Sequence, residues 1–468
     1  MFTTRPLLCS SLIVIGLGGC SLPSPSARPG PALPAEWKNA GAFPVASPTQ
    51  DLSRWWGRFD DPGLSRVIAD ALKASPDMAS ASARVQESRA RRDASRASLF
   101  PALGGAASAS TRSTHTEQAG TITSDAAAAG LDASWEVDLF GKNRSAVAAA
   151  AANLGAAEEN FHSVQAALAS EIAVSYTNLR TTEARFIVLQ RNVKTREQTA
   201  QLARWRQQAG EADSLEASQA LSSLEQARAA MPALEQAASV SRNQLALLSG
   251  QPPGTLDATL AAGSRGIPDP PRSLAVGIPA DTLRQRPDVR IAGYQVLAAA
   301  ATTRVADAAR YPSLNLSGSL GLSSASIGTA FHPEVSTANL AAGLTSPIFD
   351  AGRRHANLQA QTAAEEQAVQ GYRSTVLKAL TETENALVAC RRSGERLALL
   401  EKATISAREA DAIAQQRYQT GEIDFLAVLD AQRTLLGLED SLLSTTTERT
   451  IAYIRLYQAL GGGWAARS

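Results

Sequence analysis

The chain has 468 residues, and its 45 Lys and Arg against 44 Asp and Glu leave a formal net charge of +1. That balance removes nucleic acid from the candidate partners, because a nucleic-acid-binding surface is strongly basic. Aromatic residues make up only 5%, too few for one large globular core, and the three cysteines, Cys9, Cys20 and Cys390, are too scattered for a disulfide framework.

Residues 1–19 carry one positive charge, Arg5, followed by an apolar run from Leu7 to Leu17. A spanning helix needs roughly 20 apolar residues, so this run is too short and reads as a secretory signal peptide. It ends in Leu17-Gly18-Gly19-Cys20-Ser21. That ending is similar to a bacterial lipobox, in which small residues precede a cysteine that is lipidated and becomes the new N-terminus. An ordinary cleavage site beside an incidental cysteine is the alternative. Residues 20–53, with Pro23, Pro25, Pro29, Pro31 and Pro34, form an extended tether.

From here the chain is one unit written twice. Arg206, Gly210, Glu211, Asp213 and Leu215 reappear 211 positions on as Arg417, Gly421, Glu422, Asp424 and Leu426, and Pro76-Asp77, Gly141 and Gly250 reappear at the same offset. Breakers and charges that stay in phase over such a distance define a repeat. The first unit spans 54–250, a linker follows at 251–278, the second unit spans 279–462, and 463–468 is a tail.

Within a unit, Leu64, Val67, Ile68, Ala71 and Leu72 have helical spacing. Pro76 interrupts that helix behind a capping Ser75, and it ends before Phe100-Pro101. Small residues from Leu103 to Thr111 come next, then a polar loop through Thr123. Leu131 to Asp138 alternates with strand period, so a strand hairpin occupies about 102–138. Its twin occupies about 313–347, clearest in Leu314, Leu316, Leu320 and Leu322. A half-buried soluble sheet and membrane strands both fit the alternation; a secretory lipoprotein without an apolar spanning helix favours membrane strands. Asn143 to Ala209 is then one helix about 100 Å long at 1.5 Å per residue. Gly210 stops it, Asp213 caps the next, and that helix runs to about Ser249 with a break at Pro232. Each unit is thus a long column beside two shorter helices, with the strands at one tip and the Arg-x-x-x-Gly-Glu-x-Asp turn at the other. The unit ends meet at mid-height, where the tether, linker and tail form a belt.

Four strands cannot persist alone in hydrocarbon, since their edge N–H and C=O groups would be unpaired. Two protomers would supply eight strands around a filled lumen, and three would supply twelve around a channel. A trimeric coiled-coil stalk would need sustained apolar heptads, which these Ala-rich helices lack.

The ordered set Trp55-Trp56, Phe59-Asp60-Asp61-Pro62-Gly63-Leu64, Trp135-Glu136-Val137-Asp138-Leu139-Phe140-Gly141, Arg286-Pro287-Asp288-Val289, Tyr311-Pro312-Ser313-Leu314, Pro347-Ile348-Phe349-Asp350-Ala351-Gly352-Arg353 and Leu429-Asp430-Ala431-Gln432-Arg433 resembles the TolC-like outer membrane efflux proteins. Within them it resembles the OprM- and NodT-like lipoproteins. The resemblance implies a mainly α fold, with long helical hairpins forming a periplasmic α-barrel and four strands per protomer completing a 12-stranded membrane barrel in a homotrimer. It implies an exit duct of a tripartite efflux system, partnered by a periplasmic adaptor and an inner-membrane pump of the RND type. It also implies N-acyl and S-diacylglycerol groups on Cys20 and an outer-membrane location, Ser21 rather than Asp following the cysteine. A constriction is expected where Leu426 and Asp430 face the lumen, with Tyr418 and Arg433 locking neighbouring helices. Arg206, Gly210, Arg417 and Gly421 are candidate adaptor contacts. The equivalents of Leu426, Asp430 and Arg433 in the first unit are Leu215, Gln219 and Ser222, so only the second tip carries the charges. An ordinary solvated i, i+3 pair of Asp430 with Arg433 is the alternative.

His115, His162, His332 and His355 have no metal-ligand spacing, and no nucleophile elbow, P-loop or dinucleotide fingerprint occurs. No enzyme, cofactor or metal role is expected. An outer-membrane duct for ATP-driven protein secretion is the alternative on the same fold, and a non-conducting structural lipoprotein a further one.

Overall fold

The computed structural model describes residues 33–41, 52–118, 120–263, 266–271, 279–325 and 335–464. The signal peptide, Cys20, most of the tether, residues 272–278 of the linker and 465–468 of the tail lie outside them.

The first unit opens with α1 (Pro62–Ala74) and α2 (Pro76–Ala97). Both start on a proline, whose missing N–H is unpaired at that position in any case. Asp61 and Ser75 cap them, accepting from Leu64 N at 2.9 Å and Asp77 N at 3.3 Å. Strands β1 (Ala102–Thr116) and β2 (Gly120–Val137) follow, then α3 (Lys142–Gln208) and α4 (Ser214–Leu248). Past the short α5 (Asp257–Ala262) and α6 (Pro279–Gln285), the order returns as α7 (Pro287–Ala308), β3 (Ser313–Ser324), β4 (Val335–Thr345), α8 (Arg353–Gln419) and α9 (Phe425–Ala459). α2 and α7 have 22 residues each, α3 and α8 have 67, and α4 and α9 have 35. Each second-unit helix of these pairs begins 211 positions after its twin.

Two expectations are corrected. α4 runs through Pro232 without a break; the residue is exposed, so the carbonyl that loses its helical donor faces water. The polar stretch before Thr123 is not a loop. β1 and β2 pair without interruption from Ala102↔Ser134 to Thr116↔Gly120, because Thr and Ser suit a strand with no buried face.

The helices stand as a palisade. In the half nearest the strands, α3 packs on α2 and α7, and α7 packs on α8; in the other half, α3 packs on α4 and α9, and α9 packs on α8. The column order α2, α3, α7, α8 matches the sheet order β1-β2-β3-β4, so every strand continues a column. A Cβ on Gly250 would lie 2.6 Å from the Ala74 carbonyl, and one on Gly461 would lie 3.1 Å from that of Gln285. Thus α4 ends against the start of α2, and α9 ends against the start of α7.

The largest core lies at mid-height. Trp55 stacks on Tyr457 with ring centroids 5.3 Å apart, and Trp37, Leu256 and Leu260 join the same cluster. Below it, Asp61 accepts from the Tyr176 hydroxyl at 3.1 Å, and Arg180 donates to Tyr176 Oη at 3.0 Å, the Leu260 carbonyl at 2.8 Å and Glu183 at 2.7 Å. Asn39 donates to Glu384 at 2.7 Å, Thr450 to the Pro268 carbonyl at 2.8 Å, and Gly463 N to the Leu52 carbonyl at 2.9 Å. Described parts of the tether, linker and tail are therefore drawn into one belt.

In the antiparallel sheet, the register aligns Val137, Leu314 and Leu344 in one row and Gly105, Leu131, Leu320 and Ala338 in another. The intervening rows, such as Gly104, Asp132, Ser319 and Asn339, belong to the opposite face. One face is apolar and the other polar. Leu340, 87% exposed, and Leu103, Leu131, Leu320, Leu322 and Leu344 of the apolar face are uncovered within the chain, while Leu314 and Leu316 are half-buried. Among the described residues, β1 and β4 each pair on one side only. No helix among the described residues is long and apolar enough to cross a membrane.

Candidate functional site at the hairpin tips

The repeated turn motif is a stop signal joined to a start signal. Gly210 and Gly421 adopt φ of 78° and 76°, the left-handed conformation in which glycine ends a helix. The Glu211 and Glu422 amides then donate back to the Arg206 and Arg417 carbonyls at 2.9 Å, a Schellman arrangement. Asp213 and Asp424 start the next helices by accepting from Glu216 N at 2.9 Å and Ala427 N at 3.1 Å.

The two tips differ in what they hold. Tyr418, 1% exposed, donates to the Glu216 carboxylate on α4, and the Arg206 guanidinium sits over its ring at 4.9 Å. Burial, followed by the Glu216 carboxylate, pushes the Tyr418 phenol up to about 12. Phe425, Val428 and Leu429 of α9 close over this junction with Leu189, Ala203 and Leu224 of the first unit. Tyr418 therefore fastens the two tips of one chain together and does not line a surface. Arg206 is engaged in that fastening, 3.7 Å from Glu216, whereas Arg417 is exposed and, among the described residues, pairs with Glu422 at 3.8 Å.

Leu426, Asp430 and Arg433 lie on the exposed side of α9, with Leu426 and Asp430 one turn apart. Asp430 and Arg433 make no ion pair with each other or with any other described residue. Behind Arg433 stands the buried Arg196, which donates to the Ser223 carbonyl at 2.9 Å. Burial, and then the Arg433 charge, lower the Arg196 pKa. Arg433 thus has a like charge behind it. The sequence reading missed Trp205, 60% exposed on the last turns of α3; a tryptophan five residues before a helix-stop glycine was the available signal. Cys20 lies outside the described residues. No cluster of His, Cys, Asp or Glu able to hold a metal occurs among the described residues.

An apolar-faced sheet with two unpaired edges, continued strand for column by a palisade of helices, defines a segment of the wall of a membrane channel. The chain belongs to the outer membrane efflux protein family, whose sequence profile matches residues 67–251 and again 278–462. The second match begins and ends 211 positions after the first, the offset of the repeat. Over 98% of this chain and 96% of theirs, the chain is 32% identical to the pyoverdine export outer membrane protein OpmQ of Pseudomonas aeruginosa and 29% identical to the probable efflux pump outer membrane protein TtgC of Pseudomonas putida. It superimposes on the outer-membrane channel OprN with a TM-score of 0.88 at 30% identity, over 95% of this chain and 100% of that one. The resemblance, the fold class and the outer-membrane location expected from sequence are borne out.

Proposed function

We propose that this chain is the exit duct of a tripartite efflux system and works as a homotrimer. The carrying observation is the pair of matched open edges: a four-stranded sheet and a four-column palisade end at the same two sides. Three copies give twelve strands, enough to surround a water-filled lumen, and leave no strand edge unpaired in hydrocarbon. N-acyl and S-diacylglycerol groups on Cys20 add an anchor beside the barrel; more than one chain is needed for stable binding. The helical cylinder extends into the periplasm, where the tips meet a periplasmic adaptor joined to an inner-membrane pump of the RND type. The pump supplies the energy, and small molecules leave through the duct. Exposed Arg417, the glycine turns at Gly210 and Gly421, and Trp205 form the adaptor-facing surface. Arg206 supports it from behind.

The cylinder narrows at the tips. Three Leu426 side chains form an apolar ring and three Asp430 carboxylates a second ring one turn away. Clustered carboxylates resist mutual ionisation and attract cations. Arg433, without an ion-pair partner among the described residues of its own chain and repelled by Arg196, takes an acidic partner from the neighbouring protomer and holds the ring closed. In planar bilayers the purified protein should conduct, and Asp430→Ala with Arg433→Ala should raise the single-channel conductance. Unchanged conductance would move the constriction elsewhere, and a protein that never conducts would remove the duct.

A further inference from the structure

We propose that the groove between α8 and α9, at the height of the belt, is a binding site on the wall of the duct for small organic anions. Its ligands carry a carboxylate or phosphate group, and Arg455 is the guanidinium that anchors them. The inference rests on the duct reading above and adds a chemical class of cargo that the wall itself holds in transit.

The groove has a volume of about 910 Å³, and helix geometry places it on the lumen side. Ser393 in its lining is nine residues from Glu384, which holds Asn39 of the belt. Glu448 in its lining is nine residues from Tyr457, which stacks on Trp55 of the belt. Nine residues make about two and a half turns, so on both helices the groove occupies the face turned away from the belt. Glu448 also follows Asp430 by eighteen residues, about five whole turns. It therefore shares the face of α9 assigned above to the lumen.

The two units differ at these positions in both size and charge. Arg286, Arg392 and Arg455 stand where the first unit has Ser75, Thr181 and Gln244, and Ala389 and Ala459 stand where it has Asn178 and Leu248. The smaller residues deepen the floor of the second-unit groove, and the arginines charge its rim. Helix pairing does not require either change, since α3 and α4 pack together without them. Most of the guanidiniums are already held. Arg286 closes one end of the groove, bound to Asp288 at 2.7 Å and Glu382 at 2.6 Å. Arg396 closes the other, bound to Glu448 at 3.0 Å, and Arg392 pairs with Glu395 at 2.7 Å. Arg455 is exposed between the two ends and forms no ion pair with any described residue. A guanidinium without a carboxylate can offer two parallel hydrogen bonds to a carboxylate or phosphate. The alanine floor gives the body of such a molecule an apolar surface, and the groove walls thin the water around the pair, which strengthens it.

Two dyes that share a xanthene ring system test the site, 5-carboxyfluorescein as the anion and rhodamine 6G as the cation. Their fluorescence polarisation is read against the purified full-length protein at constant uncharged detergent and low ionic strength. Carboxyfluorescein should bind saturably, one dye per chain, and more tightly than rhodamine 6G. Arg455→Ala should weaken that binding by about tenfold or more, the loss of a charge-assisted pair, and Arg455→Lys should weaken it less. Ala389→Trp fills the floor without changing charge and should abolish binding. Ala389 and Arg455 are both exposed, so these variants keep the helix packing. Gln244→Ala, at the first-unit equivalent of Arg455, should bind as the native chain does. Binding unchanged in Arg455→Ala or Ala389→Trp, rhodamine 6G bound as tightly, or no saturable binding would overturn the site and leave the duct standing. Binding that meets every expectation in a protein that never conducts in planar bilayers would keep the anion site and remove the duct.

Discussion

Tyr418 shows how little of the tip one residue's neighbours in sequence reveal. Its equivalent in the first unit is Gln207, and its hydrogen-bond partner, Glu216, is 202 positions away. The caps at Ser75 and Asp213 were legible because a cap acts within three residues. The burial of Tyr418 was not, because it depends on two tips meeting. For the same reason Arg206 and Arg417 looked alike in sequence, yet only Arg206 has a tyrosine ring beneath it. Tyr418→Phe removes a bond to a charged acceptor, typically worth about 1.5–3 kcal/mol. It should loosen the tip and raise conductance in bilayers while the belt at mid-height stays folded; an unchanged conductance would mean that the tip opens without parting this contact. Asp411 gives a pH-dependent counterpart. Burial is the main cause raising its pKa above the ordinary value, with Gln415 opposing and Glu439 adding. The folded state then keeps the proton longer than the unfolded state, so stability falls as pH rises through that window. Asp411→Asn should raise Tm over the native chain near neutral pH and lose that advantage below the ordinary carboxylate range. Cys390 is buried, and desolvation pushes its thiol up to about 12. Since thiolate is the reactive form, iodoacetamide should label Cys390 only after unfolding, as read by mass.

The repeated helices preserve pairings more closely than residues. In the first unit Glu197 on α3 meets Arg228 on α4 at 2.6 Å; in the second, Arg408 on α8 meets Glu439 on α9 at 2.8 Å. The positions correspond and the charges have exchanged sides, so the contact has outlasted both residue types. Element lengths and order could be read from breakers and offset alone. The continuous α4 could not, because what a proline does to a helix depends on whether its orphaned carbonyl reaches water. The extent of β1 and β2 could not either, because their far ends, 111–116 and 120–125, are largely polar on both sides and carry no apolar period. The close approach of α3 and α7 was also invisible: a Cβ on Gly155 would lie 2.6 Å from the Tyr294 ring. Gly155→Ala should therefore force these columns apart, at a cost of about 1–3 kcal/mol, and lower Tm. Gly394, also within a helix, has nothing within 4 Å of a Cβ, and Gly394→Ala should be neutral or stabilising by up to about 1 kcal/mol.

At the scale of the whole molecule, the need for partners was legible because backbone hydrogen bonding is an accounting that must close in hydrocarbon. Four strands with an apolar face cannot close it, and the structure shows the two unpaired edges. The matching order of strands and columns was not legible, since it depends on which column settles between which others. That match lets one closure serve both the barrel and the cylinder. The most direct test is the mass of the purified full-length protein in detergent, corrected for bound detergent and lipid. Particles of three chains are predicted. Particles of one chain that retain the folded sheet would contradict the account.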